Sequence, residues 1–481
     1  MSRLTNTRKR WHDKRVARRW RYRLAPDPRS RPPKGVPGAW MRVRRMVLAW
    51  WPWALVFLVA MVLDKWYLAA GTGLTAIFFF LIAPKETPPR YGLNHAFSVA
   101  DEEFLPTIAG ATGAQFMRGS RIEVLNNGDQ FYPAMLDAVE RAEVSINIEA
   151  YIYWDGHIGQ RFAEVLAGRA RAGVAVKILL DAVGSTSIGE DILETLASGG
   201  CQVAWYNPIH WYTIARFNHR THRKSLIIDG LRAFTGGAGI ADQWEGNAED
   251  PQHWRDMQIL VEGPAVVPLP TGFADNWLLT TGEIVTGPQY SPPLERRGGL
   301  IAQTIISSPE AGASTVRVMY YLSIVCARTS IFIANPYFVP DEAAKAALIE
   351  AKKRGVDVRI MVSGIHNDNW LARQNSVRLY GRLLDAGIEI LEFNKTMLHH
   401  KTMVVDSLWA TVGTTNFDNR SFAHNEENNV CVYDAAWATR LHRVFLDDLA
   451  GCERVTMAAW RRRGMVRKSL ELVASFAQDQ I

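Results

Sequence analysis

Two stretches of this 481-residue chain carry residue types suited to covalent acid–base chemistry. One is His-Arg-Lys-Ser-Leu-Ile-Ile-Asp, from His222 to Asp229; the other is His-His-Lys-Thr-Met-Val-Val-Asp, from His399 to Asp406. Both read H-x-K-x-x-x-x-D, and a glycine turn follows seven residues past each Asp, at Gly236 and Gly413. On a strand the His and Lys, two residues apart, project from one face. One such pattern arises by chance easily; two at equivalent places of an internal repeat do not. A metal centre is not expected. Lysine is not a usual ligand, H-x-H and H-x-x-x-H spacings are absent, and the adjacent pair His399-His400 is poorly placed for joint ligation. No cofactor is implied either.

Two His and two Lys converging on one spot suit a phosphodiester. Each lysine offers charge-assisted hydrogen bonds to non-bridging oxygens and stabilises the charge of a pentacoordinate state. One neutral histidine attacks phosphorus; the other, protonated, donates to the leaving oxygen and later deprotonates the acceptor. Like residues must then hold unlike protonation states, and each imidazole needs an orienting acceptor on its other nitrogen. Asp229 and Asp406, at the far ends of the motifs, read as braces that complete the candidate set His222, Lys224, Asp229, His399, Lys401 and Asp406.

The elements that must position these groups are written twice. Ser145-Ile-Asn-Ile-Glu-Ala-Tyr-Ile-Tyr matches Ser330-Ile-Phe-Ile-Ala-Asn-Pro-Tyr-Phe, each a buried-strand pattern. A helix follows in both, capped at Gly173 and Gly355, and a second strand starts at once. A second helix then ends at Gly199-Gly200 and at Gly387, before a third strand and the motif. The alternation predicts an α/β class, two pseudo-twofold-related α/β/α sandwich domains at about 120–285 and 286–481. Such an axis would bring two histidines 177 residues apart into one site. The halves differ before the motif, where only the first carries an aromatic insertion, Pro208–Phe217, read as an interfacial lip.

Net charge is +7, but residues 1–45 hold sixteen Lys or Arg against two Asp, so the rest of the chain is net −7. A mildly acidic body argues against nucleic acid as a partner. Four cysteines without C-x-x-C spacing suggest reduced thiols. The basic tail, with a short helix expected near 9–23, suits adhesion to anionic lipid. Two uncharged 18-residue runs follow, Met46–Leu63 and Trp66–Ala83, separated by Asp64-Lys65. They predict a transmembrane hairpin whose ends stay cytoplasmic, in a multi-pass protein of the inner (cytoplasmic) membrane. Residues 84–119, rich in proline at the start, read as the linker to the body.

These motifs resemble the phospholipase D superfamily and, within it, the bacterial cardiolipin synthase branch. Gly413-Thr-Thr-Asn416-Phe-Asp-Asn-Arg-Ser-Phe422 is similar to the family's G-S-x-N-x-D-x-R-S-F, and Asn425-Glu-Glu427-Asn-Asn429 to its N-x-E-x-N. Trp254-Arg-Asp256 resembles the branch's W-R-D, and Gly236-Gly237-Ala-Gly239-Ile240 its G-G-x-N-I. The resemblance implies a metal-free phosphohistidine mechanism, with Asp256 and Glu427 as the imidazole partners and Asn416 on a phosphate oxygen. His222 would be the nucleophile and His399 the acid/base. It also implies two phosphatidylglycerol molecules as substrates, giving cardiolipin and glycerol. The alternative is a membrane-tethered phospholipase D or phosphodiesterase that passes the group to water or another alcohol. Gly239 stands where the pattern has Asn, which removes one amide from the first half. The basic run Arg461–Lys468 reads as a second contact with anionic lipid.

Overall fold

The computed structural model describes residues 49–82, 91–209, 218–309 and 315–475. The basic tail with its expected helix, and positions 210–217 of the aromatic insertion, lie outside the described residues. The described residues form two compact units, divided between Gly92 and Leu93.

In the first unit, helices Trp50–Val62 and Trp66–Ile82 pack as a hairpin. Pro52 is accommodated in the first turn, where its missing N–H costs nothing. Asp64 takes a left-handed φ of 53° at the turn. Ala60, Ala69, Thr72 and Ala76 are buried, and a Cβ on Gly73 would come within 3.0 Å of the Phe57 ring. Small residues thus let the helices approach, while Leu55, Leu58, Val62, Leu74 and Phe78 face outward. At 13 and 17 residues the helices measure about 20 and 26 Å. Both are shorter than the 18-residue runs the sequence offers, and among the described residues no helix is long and apolar enough to cross a membrane.

The second unit is built on one sheet. Its first half supplies β1 (Met117–Asn126), β2 (Ser145–Ala150), β3 (Ala175–Asp181), β4 (Gln202–Tyr206), β5 (Arg220–Thr221), β6 (Ser225–Ile228), β7 (Arg232–Gly236) and β8 (Met257–Glu262). The second half supplies β9 (Leu300–Ser307), β10 (Ser330–Ala334), β11 (Asp357–Ser363), β12 (Glu389–Phe393), β13 (Lys401–Val405), β14 (Trp409–Gly413), β15 (Asn425–Tyr433) and β16 (Cys452–Arg454). The order β4-β3-β2-β6-β7-β8-β1 continues as β9-β15-β14-β13-β10-β11-β12-β16, so the second half repeats the first in reverse about the antiparallel β1–β9 junction. Register repeats too. Ile146 faces Ile228 and Glu149 faces Ser225, as Ile331 faces Val405 and Ala334 faces Thr402.

Alternation along the strands sorts side chains onto two sheet faces. Ile146, Ile148, Ile178 and Leu226 pack under helices Asn127–Glu140, His157–Arg171 and Glu190–Gly199. Leu179 and Ile227, on the opposite face, meet Phe273 and Trp277 of helix Pro268–Thr281. In the second half, Phe332 and Val404 meet Leu441 and Phe445 of helix Ala435–Asp448 in the same cluster. The expected linker is not all linker. Helix Phe104–Thr112 lies within 84–119 and buries Phe104 and Ile108 in the second-half core, with Phe104 edge-on to Trp409 at 6.4 Å. Its Phe104, Ile108 and Thr112 repeat every four residues, a helical period obscured by the prolines upstream.

Candidate active site

Each motif leads into an inner strand, and the strand fixes which end of it does what. His222 and Lys224 precede β6, and Asp229 follows it. Asp229 and Asp406 hold left-handed φ values of 54° and 52°. Asp229 accepts the N–H groups of Glu143, Val144 and Ser145 at 3.0, 2.7 and 2.9 Å. Asp406 does the same for Arg328, Thr329 and Ser330 at 2.8, 2.7 and 2.9 Å. These carboxylates anchor the start of the neighbouring strand, about 20 Å along the chain from the histidines at the strand rise.

At the other end, the backbone crosses between halves. His222 N–H donates to the carbonyl of Glu426 at 2.9 Å, and His399 N–H to that of Arg255 at 2.8 Å. The side chain one residue on then completes the pair. His222 Nδ1 lies 3.0 Å from both oxygens of Glu427, and His399 Nδ1 lies 2.7 Å from Asp256 Oδ2. Each histidine is therefore oriented by a carboxylate from the opposite half. Lys224 Nζ donates to the His222 carbonyl at 2.9 Å, and Lys401 Nζ sits 3.1 Å from His399 Nε2. All six side chains are buried.

That burial sets the charges. It pushes both imidazoles down to about 4; at His399 the Lys401 charge adds to the push, and at His222 the Glu427 charge opposes it. Burial and the opposing Lys401 ammonium carry Lys224 down to about 7, and burial carries Lys401 down to about 8 against the pull of Asp256. Burial works to raise Glu427, yet His222, Lys224 and the Thr414 hydroxyl together hold it down at about 2. Asp256 is likewise held below the usual carboxylate range by His399 and Lys401 in spite of its burial. Near neutral pH the site holds two neutral imidazoles, two carboxylates and two partly protonated lysines. Among the described residues no cluster of His, Cys, Asp and Glu could hold a metal ion.

The matched model for "Cardiolipin synthase, PLD-like domain" covers residues 135–259 and 323–449, one match in each half and together more than half of the chain. The chain belongs to this family. Cardiolipin synthase 2 of Bacillus anthracis is 34% identical over 367 residues, covering 75% of this chain and 70% of the relative. The cardiolipin synthase of Geobacillus thermodenitrificans is 35% identical over 360 residues, covering 74% and 71%. Among solved structures, phosphatidylserine synthase of Haemophilus influenzae shares the fold, with a TM-score of 0.61 at 12% identity, over 78% of this chain and 99% of its own.

The two halves of this phospholipase D-like protein support their carboxylates differently. The Thr414 hydroxyl donates to Glu427, whereas the Asp256 carboxylate takes the Trp244 indole N–H at 2.7 Å and the Met257 N–H at 2.7 Å. At the position matching Thr414 stands Gly237, where a Cβ would lie 2.1 Å from Asp256 Oδ1. Trp244 and Trp254 also stand edge-on or tilted to His399 at 5.4 and 5.5 Å, while Tyr151 lies edge-on to His222 at 5.2 Å. Asn416 is buried with its Oδ1 unpaired; a Cβ at Gly239, its counterpart, would come 2.9 Å from the Ile152 carbonyl oxygen. The first half has no room for the second amide. Sequence comparison of the halves shows Gly239, but Trp244 and the crossed pairing leave no signal in it. Replacing Gly237 with Ala is expected to displace Asp256 from His399 and lower turnover about tenfold to a hundredfold, as a steady-state assay would show.

Proposed function

We propose that this chain is a phosphatidyltransferase that joins two phosphatidylglycerol molecules into cardiolipin and releases glycerol. The observation that carries the reading is the crossed pair of His–carboxylate contacts flanked by two buried lysines. Each Nδ1–H is tied to a carboxylate, which leaves the Nε2 lone pairs for chemistry. In the first step one Nε2 bonds to phosphorus, the glycerol C–O–P bond breaks at phosphorus, and the other imidazole protonates the departing glycerol oxygen. In the second step that imidazole takes the proton from a hydroxyl of the second phosphatidylglycerol. The freed oxygen displaces the histidine and restores both imidazoles. By resemblance to the family, His222 takes the phosphatidyl group and His399 moves the proton. Lys224, Lys401 and Asn416 hold the phosphate oxygens.

An anionic phosphodiester bound here would shift these charges. Its charge favours protonated Lys224 and Lys401, and an imidazolium beside Asp256. A phosphodiester does not itself titrate near neutral pH, so the sign is set by the groups that must carry a proton, the two lysines and the imidazolium of His399. Because the free-site values of the lysines are about 7 and 8, kcat/KM is expected to fall as pH rises through that range. Above it the fall should reach about tenfold per pH unit for each lysine whose proton is required. A pH profile that stays flat from 6 to about 9 would contradict a required lysine charge.

The apolar hairpin, small residues inside and large ones outside, supports insertion in the bilayer, where both substrates and the product reside. Purified full-length protein in phosphatidylglycerol vesicles should yield cardiolipin and glycerol one to one by mass spectrometry. Phosphatidic acid as the lipid product would favour hydrolysis instead.

A further inference from the structure

Helix Met465–Ala474 is inside out for a water-facing helix. It buries Glu471, paired with Arg463 at 2.6 Å, and exposes Met465, Val466, Leu470 and Val473, with Val466 at 75%. A soluble helix places its apolar face inward. Arg463 also stacks over Trp460 at 4.1 Å, so it is a structural member of the basic run and not a lipid contact. Its neighbours Arg461, Arg462, Arg467 and Lys468 are exposed, and from Met457 to Ser475 the one acidic residue is the buried Glu471. Within this segment the exposed surface is apolar and cationic.

This helix lies along the start of helix Trp370–Asp385. Asn375 Nδ2 donates to the Ala474 carbonyl at 2.8 Å, and Trp460 Nε1 to that of Val377 at 2.7 Å. Trp370 and Leu371, in the first turn of that helix, and Ile365, in the turn that leads into it, are also exposed. The same turn borders the candidate site. The Tyr337 hydroxyl is bonded to Asp368, whose charge acts on His399 and Lys401.

We propose that the body rests on an anionic bilayer through this face, which sets the rim at Asp368 against the lipid headgroups. Apolar side chains enter the headgroup–acyl boundary and the four cations meet lipid phosphates. The proposal rests on the reading of the site as one for bilayer lipids. A second copy of the chain fits less well, since a symmetric contact would set four cations against four.

The test uses full-length protein carrying Cys452→Ser and a bimane label at Val466→Cys, reconstituted in phosphatidylserine vesicles containing spin-labelled lipid. The control carries the label at Leu279→Cys, an exposed apolar position on helix Pro268–Thr281. Quenching at 466 well above that at 279 supports the docking face whatever product the enzyme makes, so this outcome stands apart from the proposed reaction. Equal quenching at the two positions, or disulfide crosslinking of copies through 466 in the vesicles, overturns it. Neutralising Arg461, Arg462, Arg467 and Lys468 with Gln should raise the half-saturating surface concentration of vesicle substrate at least about fivefold. Turnover of a short-chain soluble substrate and the melting temperature should hold. An unchanged vesicle half-saturation also overturns the proposal.

Discussion

Replacing His222 with Asn is expected to lower phosphatidyl transfer by about ten-thousandfold or more, and His399→Asn by a comparable factor, while both variants keep the fold. Asn is close to imidazole in size and retains polar atoms, so the buried carboxylates keep a partner and the loss reports chemistry. The two variants should still differ in one readout. With His399 missing, His222 can attack but the acceptor cannot be deprotonated, so a labelled phosphatidyl group should accumulate slowly on the protein. With His222 missing, no label should be captured. Capture by His222→Asn alone would reverse the assigned roles.

The second large effect concerns the crossed carboxylates. Glu427→Gln and Asp256→Asn should each cost about a hundredfold to ten-thousandfold in kcat, since each leaves a buried imidazole with the wrong tautomer or orientation. Because Glu427 sits on His222 and Asp256 on His399, the effects should couple across halves. The double variant His222→Asn/Glu427→Gln should be little worse than His222→Asn alone, and so should His399→Asn/Asp256→Asn beside its own parent. Coupling within halves instead, His222 with Asp256, would contradict the geometry. The supporting shells predict a further asymmetry. Thr414→Val should act through His222, and Trp244→Phe through His399.

Much of this was legible in the residues themselves. The duplicated H-x-K, the repeat of strand and helix around it, and the family's flanking motifs point to His222, Lys224, His399, Lys401, Asp256 and Glu427, the side chains that the fold brings together. Asp229 and Asp406 stand seven positions past the histidines, where each accepts three backbone N–H groups at the start of the neighbouring strand. What the residues do not show is which carboxylate serves which histidine. That depends on the β1–β9 junction and on the backbone crossings at Glu426 and Arg255, which are tertiary facts without a local pattern. The reason for Gly237 is equally non-local, since it is the Asp256 oxygen 2.1 Å from a would-be Cβ that forbids a side chain. Helix Phe104–Thr112 was hidden by the prolines before it, and Arg463 left the basic run through its partnership with Glu471, eight residues on.

The stereochemical course at phosphorus tests most directly the claim that one site, built from both halves, passes the phosphatidyl group through a histidine. Phosphatidylglycerol made chiral at phosphorus with oxygen isotopes should give product with net retention, because two in-line displacements each invert the centre. Net inversion would mean direct transfer from one lipid to the other, and would contradict the phosphohistidine route.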